Sequence, residues 1–266
     1  MLNLPRLLLC AALSACITAP ASAEDAEIRL PLPGPVDARA AAMGGAGAAL
    51  LDGGVGFFHN PAHLGFGQGA VFFGQTNLTG RSDISFDPKG ASYRWRGWGL
   101  AWGNRIGQTD GVFDHTYLSA ARRIGRHASA GVSGKFWRKH PSERFQFLGH
   151  APVLDVGALL LPSERWTVGG RLSQTERGAG FERYAVGSSL RLGRFLFLVE
   201  WDGGGRFGAE WNLPMRLQLR IGYGAGEPRV GLSTRTGPLE ARIAWMRLEG
   251  AHALFIQGNF ALIETP

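Results

Sequence analysis

Cysteine is nearly absent from this chain. Its 266 residues include two, Cys10 and Cys16, both inside an apolar N-terminal stretch, so no disulfide framework holds the remainder together. Also missing is any apolar run of about 20 residues, the length a helix needs to cross a bilayer, which excludes a helical membrane protein. No glycine loop follows a strand and opens a helix with a Lys-Ser/Thr pair, so the common phosphate-binding loop is excluded. The histidines (His59, His63, His115, His127, His140, His150 and His252) are scattered. Only His59 and His63 would share a face, and only on a helix, without a third partner, so neither metal nor cofactor is expected. Ser119, His115 and Asp114 are near in sequence, but on a strand Asp114 points away from the other two. The chain does not read as an enzyme, and an exported hydrolase acting through Ser119 is the enzymatic alternative.

What is present begins with a leader. Arg6 precedes an apolar run from Leu7 to Ile17, and small residues end at Ala21-Ser22-Ala23; this is the pattern of a secretory signal peptide cleaved after Ala23. An alternative takes Leu13-Ser14-Ala15-Cys16 as a lipoprotein box with Cys16 lipidated. The formal charge of +7 would suit nucleic acid, but an exported protein seldom meets any, and no nucleic-acid partner is expected. Glycine stands at 40 residues, about twice the usual share, without a collagen period. With many Trp and Phe, that points to strands, tight turns and close backbone approach.

From Gly69 onward, segments with period-two alternation are separated by Gly, Pro, Asp and Arg clusters. Leu217, Leu219, Ile221 and Tyr223 share one face, while Arg216, Gln218, Arg220 and Gly222 share the other. The same split recurs at Leu239, Ala241, Ile243 and Trp245 against Glu240, Arg242 and Ala244. This reading predicts fourteen strands, at 69–76, 88–96, 97–105, 112–123, 127–138, 151–161, 165–174, 181–192, 194–202, 204–212, 214–224, 227–235, 238–248 and 251–262. An even count, tight turns alternating with mostly longer loops (the longest from Arg138 to His150), and Trp95, Trp98, Trp137, Trp166, Trp201 and Trp211 near strand ends fit a transmembrane β-barrel in contact with outer-membrane lipid. With the apolar face toward lipid, Arg94, Arg171, Arg191, Arg216, Arg220, Arg229, Arg235 and Arg242 line the lumen, with Asp155 and Glu240 as candidate counter-charges.

Residues 37–66 neither alternate nor carry a charged surface pattern. They are small, glycine-rich and nearly uncharged, as suits a plug in which Gly44, Gly45 and Gly47 allow close contact with a wall and Asn60-Pro61 fixes a turn. Arg39, Met43, Gly44, Gly45, Ala46, Gly47, Asp52, Phe57, Phe58, Asn60, Pro61, Ala62, Leu64 and Gly65 resemble the N-terminal signature of the FadL-like and PorV/PorQ-like outer-membrane proteins. Later runs such as 128–139 and 154–172 look similar too. The resemblance implies an antiparallel barrel of about fourteen strands whose N-terminal segment forms a hatch in the lumen, with Asn60-Pro61-Ala62 against the wall. It divides the chain into a signal peptide (1–23), a hatch (24–67) and a barrel (68–266), and makes Gly44, Gly45, Gly47, Asn60, Pro61 and Ala62 the gate. Three departures stand out: the loops are short, His59 stands where an aromatic is usual, and the last strand continues past Phe260. The short loops favour the compact branch of the family. The implied function is a hatch-gated channel or transporter for a small hydrophobic or anionic amphipathic solute; the alternative is a non-transporting assembly partner of an envelope or secretion complex.

Overall fold

A computed structural model describes residues 37–52, 54–78, 81–108, 113–138, 153–174, 181–248 and 251–262; the leader and most of the loop from Arg138 to His150 lie outside them. A short helix, α1 (Ala38–Ala42), and two 3-10 turns, Gly56–Phe58 and Pro61–Gly65, precede the strands. These are β1 (Ala70–Leu78), β2 (Arg81–Trp95), β3 (Trp98–Gln108), β4 (Phe113–Ile124), β5 (Ala128–Arg138), β6 (Val153–Ser163), β7 (Trp166–Gln174), β8 (Phe181–Leu192), β9 (Phe195–Trp201), β10 (Gly205–Asn212), β11 (Leu217–Gly224), β12 (Glu227–Thr236), β13 (Leu239–Leu248) and β14 (Ala251–Ala261). Each pairs antiparallel with its neighbours in sequence, and β1 pairs with β14 from Ala70↔Ala261 to Leu78↔Ala253, which closes the barrel. Closure leaves no strand edge, so the ladder satisfies the backbone polar groups that lipid could not.

The fourteen strands fall where the alternation places them, with one sizeable difference. β2 starts at Arg81 instead of 88. Pro88 argues against a strand interior because it lacks a ladder N–H. Here it is tolerated: pairing with β1 is interrupted opposite it and resumes at Asn77↔Ser85, while Gly74 leaves room for its ring.

Outward positions are apolar. Val71, Phe73, Leu100, Trp102, Val186, Ile221, Val230 and Ile243 are all exposed, alternating with buried Ala, Ser, Thr, Arg and Glu. This is inside-out for a water-soluble barrel and right for one set in lipid. Trp95, Trp98, Trp166, Phe195 and Trp211 lie toward the tight-turn end of their strands, forming an aromatic girdle there. Three hairpins turn on two consecutive residues with left-handed φ: Arg96-Gly97, Ala225-Gly226 and Met215-Arg216.

The lumen is filled by residues 37–66. Ala38, Ala41 and Ala42 pack on Ala244, Met246, Ala253 and Phe255. Met43, Ala46, Ala49 and Leu50 meet Leu196 and Leu198, and Val55, Phe57, Phe58 and Leu64 meet Phe72, Ala101, Tyr117 and Ala121. The approach is closest at inward-facing glycines: a Cβ on Gly222 would run into the backbone of Gly44, Ala42 and Met43, and one on Gly169 into the Ala48 carbonyl. Gly222→Val is therefore expected to leave a closed barrel, seen as faster gel migration before boiling, while exposing the inner segment to protease. Ile221→Val, on the outer face of the same strand, should change neither readout.

Candidate functional site: a charged lock inside the barrel

The inner segment is shaped by local signals before it meets the wall. The Asp37 carboxylate caps α1, accepting from the Ala40 N–H at 2.9 Å. Gly44 and Gly45 follow at φ +80° and +82°, a conformation that favours glycine. The N–H groups of Gly47 and Ala48 then both donate to one carboxylate oxygen of Glu200 on β9, at 2.7 and 2.6 Å. Phe57 and Phe58 stack with ring centroids 4.3 Å apart, and Phe58 meets Tyr117 edge-on. Asn60 is fully buried. Its amide donates to the carbonyls of Ala48, Ala158 and Gly170 at 2.9, 3.1 and 3.2 Å, and its oxygen accepts from the Ala62 N–H at 3.0 Å. The Ala62 carbonyl accepts from Ser129 at 2.8 Å, so the Asn60-Pro61-Ala62 corner is tied to three strands.

At the centre, charges from the segment and the wall interlock. Arg39 donates to both oxygens of Glu210 on β10, at 2.8 and 3.0 Å, and to the Leu51 carbonyl at 2.8 Å. Glu210 is shared with Arg220 on β11, at 2.7 Å. Arg242 on β13 forks onto Asp52 at 2.5 and 2.7 Å, and onto Glu240 at 2.8 Å from each of two nitrogens. Asp37 lies 3.9 Å from Arg242 and 2.5 Å from His59 Nε2. Three guanidiniums thus face four carboxylates, and the imidazole sits on the fourth. Bidentate Arg–carboxylate pairs fix both distance and plane, so the network sets the segment in one register.

Burial by itself would raise the Asp52 carboxyl, but Arg242 and then Arg39 outweigh it and hold Asp52 far below the ordinary carboxylate range. Burial likewise opposes the Arg39 charge, and Glu210 followed by Asp52 more than restores it. His63 has no such compensation. Burial pushes it down to about 4, with only the Ala48 carbonyl and weaker carboxylate influences opposing, and its Nδ1 has no hydrogen-bond partner among the described residues.

Among the expected lumen residues, Arg220 and Arg242 enter the lock. Arg229 is buried and donates to the Gly224 carbonyl at 3.3 Å. Arg94 and Arg171 reach the carbonyls of Phe66 and Phe58 at 3.4 and 3.5 Å. Glu240 is in the lock, whereas Asp155 pairs with Lys135 on its own wall at 2.9 Å. Arg191, Arg216 and Arg235 are exposed at the tight-turn mouth: Arg191 and Arg235 keep an inward register there, whereas Arg216, expected in a strand from 214 to 224, lies in the turn Pro214–Arg216 before β11 begins at Leu217. Sequence reasoning missed Glu200 and Glu210, whose strands carry the signal only as an acid at an inward register. Ser119 bonds the Ser133 hydroxyl. No cluster of three or more metal-ligating side chains occurs among the described residues.

No family model matches the chain, and no curated protein does either. Among solved structures, the monoaromatic hydrocarbon channel CymD superposes with a TM-score of 0.58 at 13% identity, over 87% of this chain and 98% of that one. The Pseudomonas putida toluene transporter TodX follows at 0.56 and 11%, over 86% and 96%. At such identities the likeness is one of fold, and it spans nearly the whole of both channels.

Removing one member of a buried charge pair costs about 3–5 kcal/mol, because its partner is left unpaired. Arg242→Met should therefore raise the labelling rate of a cysteine placed at Ala48 by about a hundredfold or more, with the barrel intact by gel migration. Protonation of His63 gives a pH dependence of defined sign. With its folded value near 4, below the ordinary 6.5 or so, the seated segment has its full stability above pH ~6.5 and loses it as pH falls toward 4, about 3 kcal/mol at the end. Measured relative to an exposed reference cysteine, whose thiolate fraction falls equally, the same cysteine should label faster at pH 5 than at pH 7.5, and His63→Gln should flatten that slope.

Proposed function

We propose that this chain is a bacterial outer-membrane channel for a small hydrophobic solute, with residues 37–67 as a hatch that moves to open the path. One observation carries the reading: the wall is closed by continuous backbone ladders, whereas among the described residues no backbone ladder joins the obstruction to it, and its ion pairs are concentrated in the Arg39–Glu210–Arg220 and Asp52–Arg242–Glu240 groups. A permanent wall with a separately seated plug is a gate in two parts. The aligned channels carry monoaromatic hydrocarbons by name, which supports an apolar solute. Gly44, Gly45 and Gly47 supply the bend about which the segment shifts, and the Asn60-Pro61-Ala62 corner is the end that stays anchored. In this reading the protein does no chemistry on its solute; it lowers the barrier to crossing.

A cross-link tests the gate. A Cβ on Gly187 would lie 3.4 Å from that of Ala49, close to the separation a disulfide uses. Proteoliposomes with Ala49→Cys/Gly187→Cys should take up toluene at the rate of empty vesicles when oxidised and recover when reduced. Uptake unaffected by oxidation would remove the hatch from the mechanism. Wild-type uptake no faster than that of empty vesicles would remove the channel.

A further inference from the structure

The tight-turn mouth of the barrel holds a cavity of about 610 Å³ lined by Asn212, Leu213, Arg216, Leu217, Gln218, Arg235 and Gly237. None of its lining residues belongs to 37–66, and Gln218 stands between it and Arg220 of the lock. Two cations face it from different hairpins. Arg216 has no partner among the described residues, and Arg235 donates only to the carbonyl of Gly237, at 3.3 Å. Glu240, the cross-strand neighbour of Arg235, is engaged by Arg242 at 2.8 Å. The roof is an amide pair: Gln218 donates to Asn212 at 2.8 Å and accepts from Arg220 at 2.5 Å and from Ser233 at 2.9 Å. Among the described residues no carboxylate lines the cavity, and Leu213 and Leu217 give it an apolar side.

The backbone adds an independent observation. Three hairpins use consecutive left-handed residues. Two of them place glycine second, at Gly97 and Gly226, but Met215-Arg216 has none, with φ +60° at both positions. The Leu217 N–H closes the turn onto the Pro214 carbonyl. Asn-Gly or Asp-Gly is the usual choice for such a turn, because side chains disfavour that conformation. A strained turn that sets an unpaired guanidinium at a cavity points from geometry to binding.

We propose that this mouth cavity is a binding site for a monoanionic or dianionic oxyacid group, a carboxylate or phosphate, clasped between Arg216 and Arg235 with any apolar body against Leu213 and Leu217. Guanidiniums bind such groups through paired N–H donors, and Gln218 links the site to Arg220 and through it to Glu210 and the hatch residue Arg39. The site lies on the path of the proposed channel and rests on that reading for its role in transit, but binding is measurable without transport.

The experiment titrates inorganic phosphate and phenyl phosphate against the full-length protein in zwitterionic-lipid nanodiscs, followed by ³¹P NMR. Saturable, salt-sensitive binding is expected, weakened about tenfold or more by Arg235→Gln and by Arg216→Gly, and unchanged by Arg96→Gln in a different hairpin. Tighter binding of phenyl phosphate places the ring on the leucines; equal binding of the two assigns the site to the oxyanion alone, and either supports the clasp. Arg216→Gly also relieves the left-handed strain, so its unfolding temperature should rise while binding falls. Absent binding, equal affinity in all variants, or the same loss in Arg96→Gln would overturn the site. Toluene uptake by the same preparation distinguishes the two readings: binding without uptake leaves the clasp standing and removes the channel.

Discussion

A charge buried inside a barrel must find its counter-charge there, and that constraint organises the molecule. Arg220 and Arg242 face inward because their strand neighbours face lipid, and burial removes the water that would otherwise screen them. Glu210 and Glu240 answer them from the wall, and Asp52 and Arg39 complete the set from the inner segment. Each half has counter-charges of its own, Arg220–Glu210 and Arg242–Glu240 in the wall and Arg39 beside Asp52 in the segment, and seating the segment adds the bidentate Arg39–Glu210 and Arg242–Asp52 pairs that join them. The segment and the wall are therefore two parts of one polar network, and the alanine and glycine packing around it serves chiefly to bring the partners to bonding distance.

The division of labour between residue types follows. Small residues let the segment approach: Ala38, Ala41 and Ala42 lie flat on β13 and β14, and Gly222 and Gly169 offer bare backbone opposite Gly44 and Ala48. Aromatics fix the opposite side, where Phe57, Phe58, Phe72 and Tyr117 form a ring cluster. Between these two apolar contacts, the carboxylate of Glu200 and the amide of Asn60 collect backbone donors and acceptors that the irregular segment cannot satisfy by itself.

The barrel was legible in the sequence because alternation reports which face a side chain takes, and lipid outside makes that signal apolar. Leu219, Ile221 and Tyr223 against Arg220 are enough to orient β11. Alternation gives no height along the barrel axis. Arg235 shares the register of the lock residues yet stands at the mouth, and Arg216 falls in the turn before β11. Glu210 escaped notice in a strand whose inward neighbours include Gly208 and whose pattern is correspondingly faint. The alternation starts the second strand at Pro88, but β2 runs on through it to Arg81, with Gly74, distant in sequence, making room for its ring. Arg39 and Asp52 stood out in the N-terminal signature, but which wall residues they meet depends on strand order around a closed ring.

The inner segment runs directly into β1, and the Leu262 N–H closes onto the Gly69 carbonyl at 2.8 Å, just where β1 and β14 meet. The plug is thus tethered at the seam that seals the ring. A cylinder already zipped shut would have to admit some thirty residues through its own mouth, past inward arginines, to reach the arrangement seen here. The β1–β14 pairing is therefore at once the seam of the ring and the point from which the enclosed segment departs.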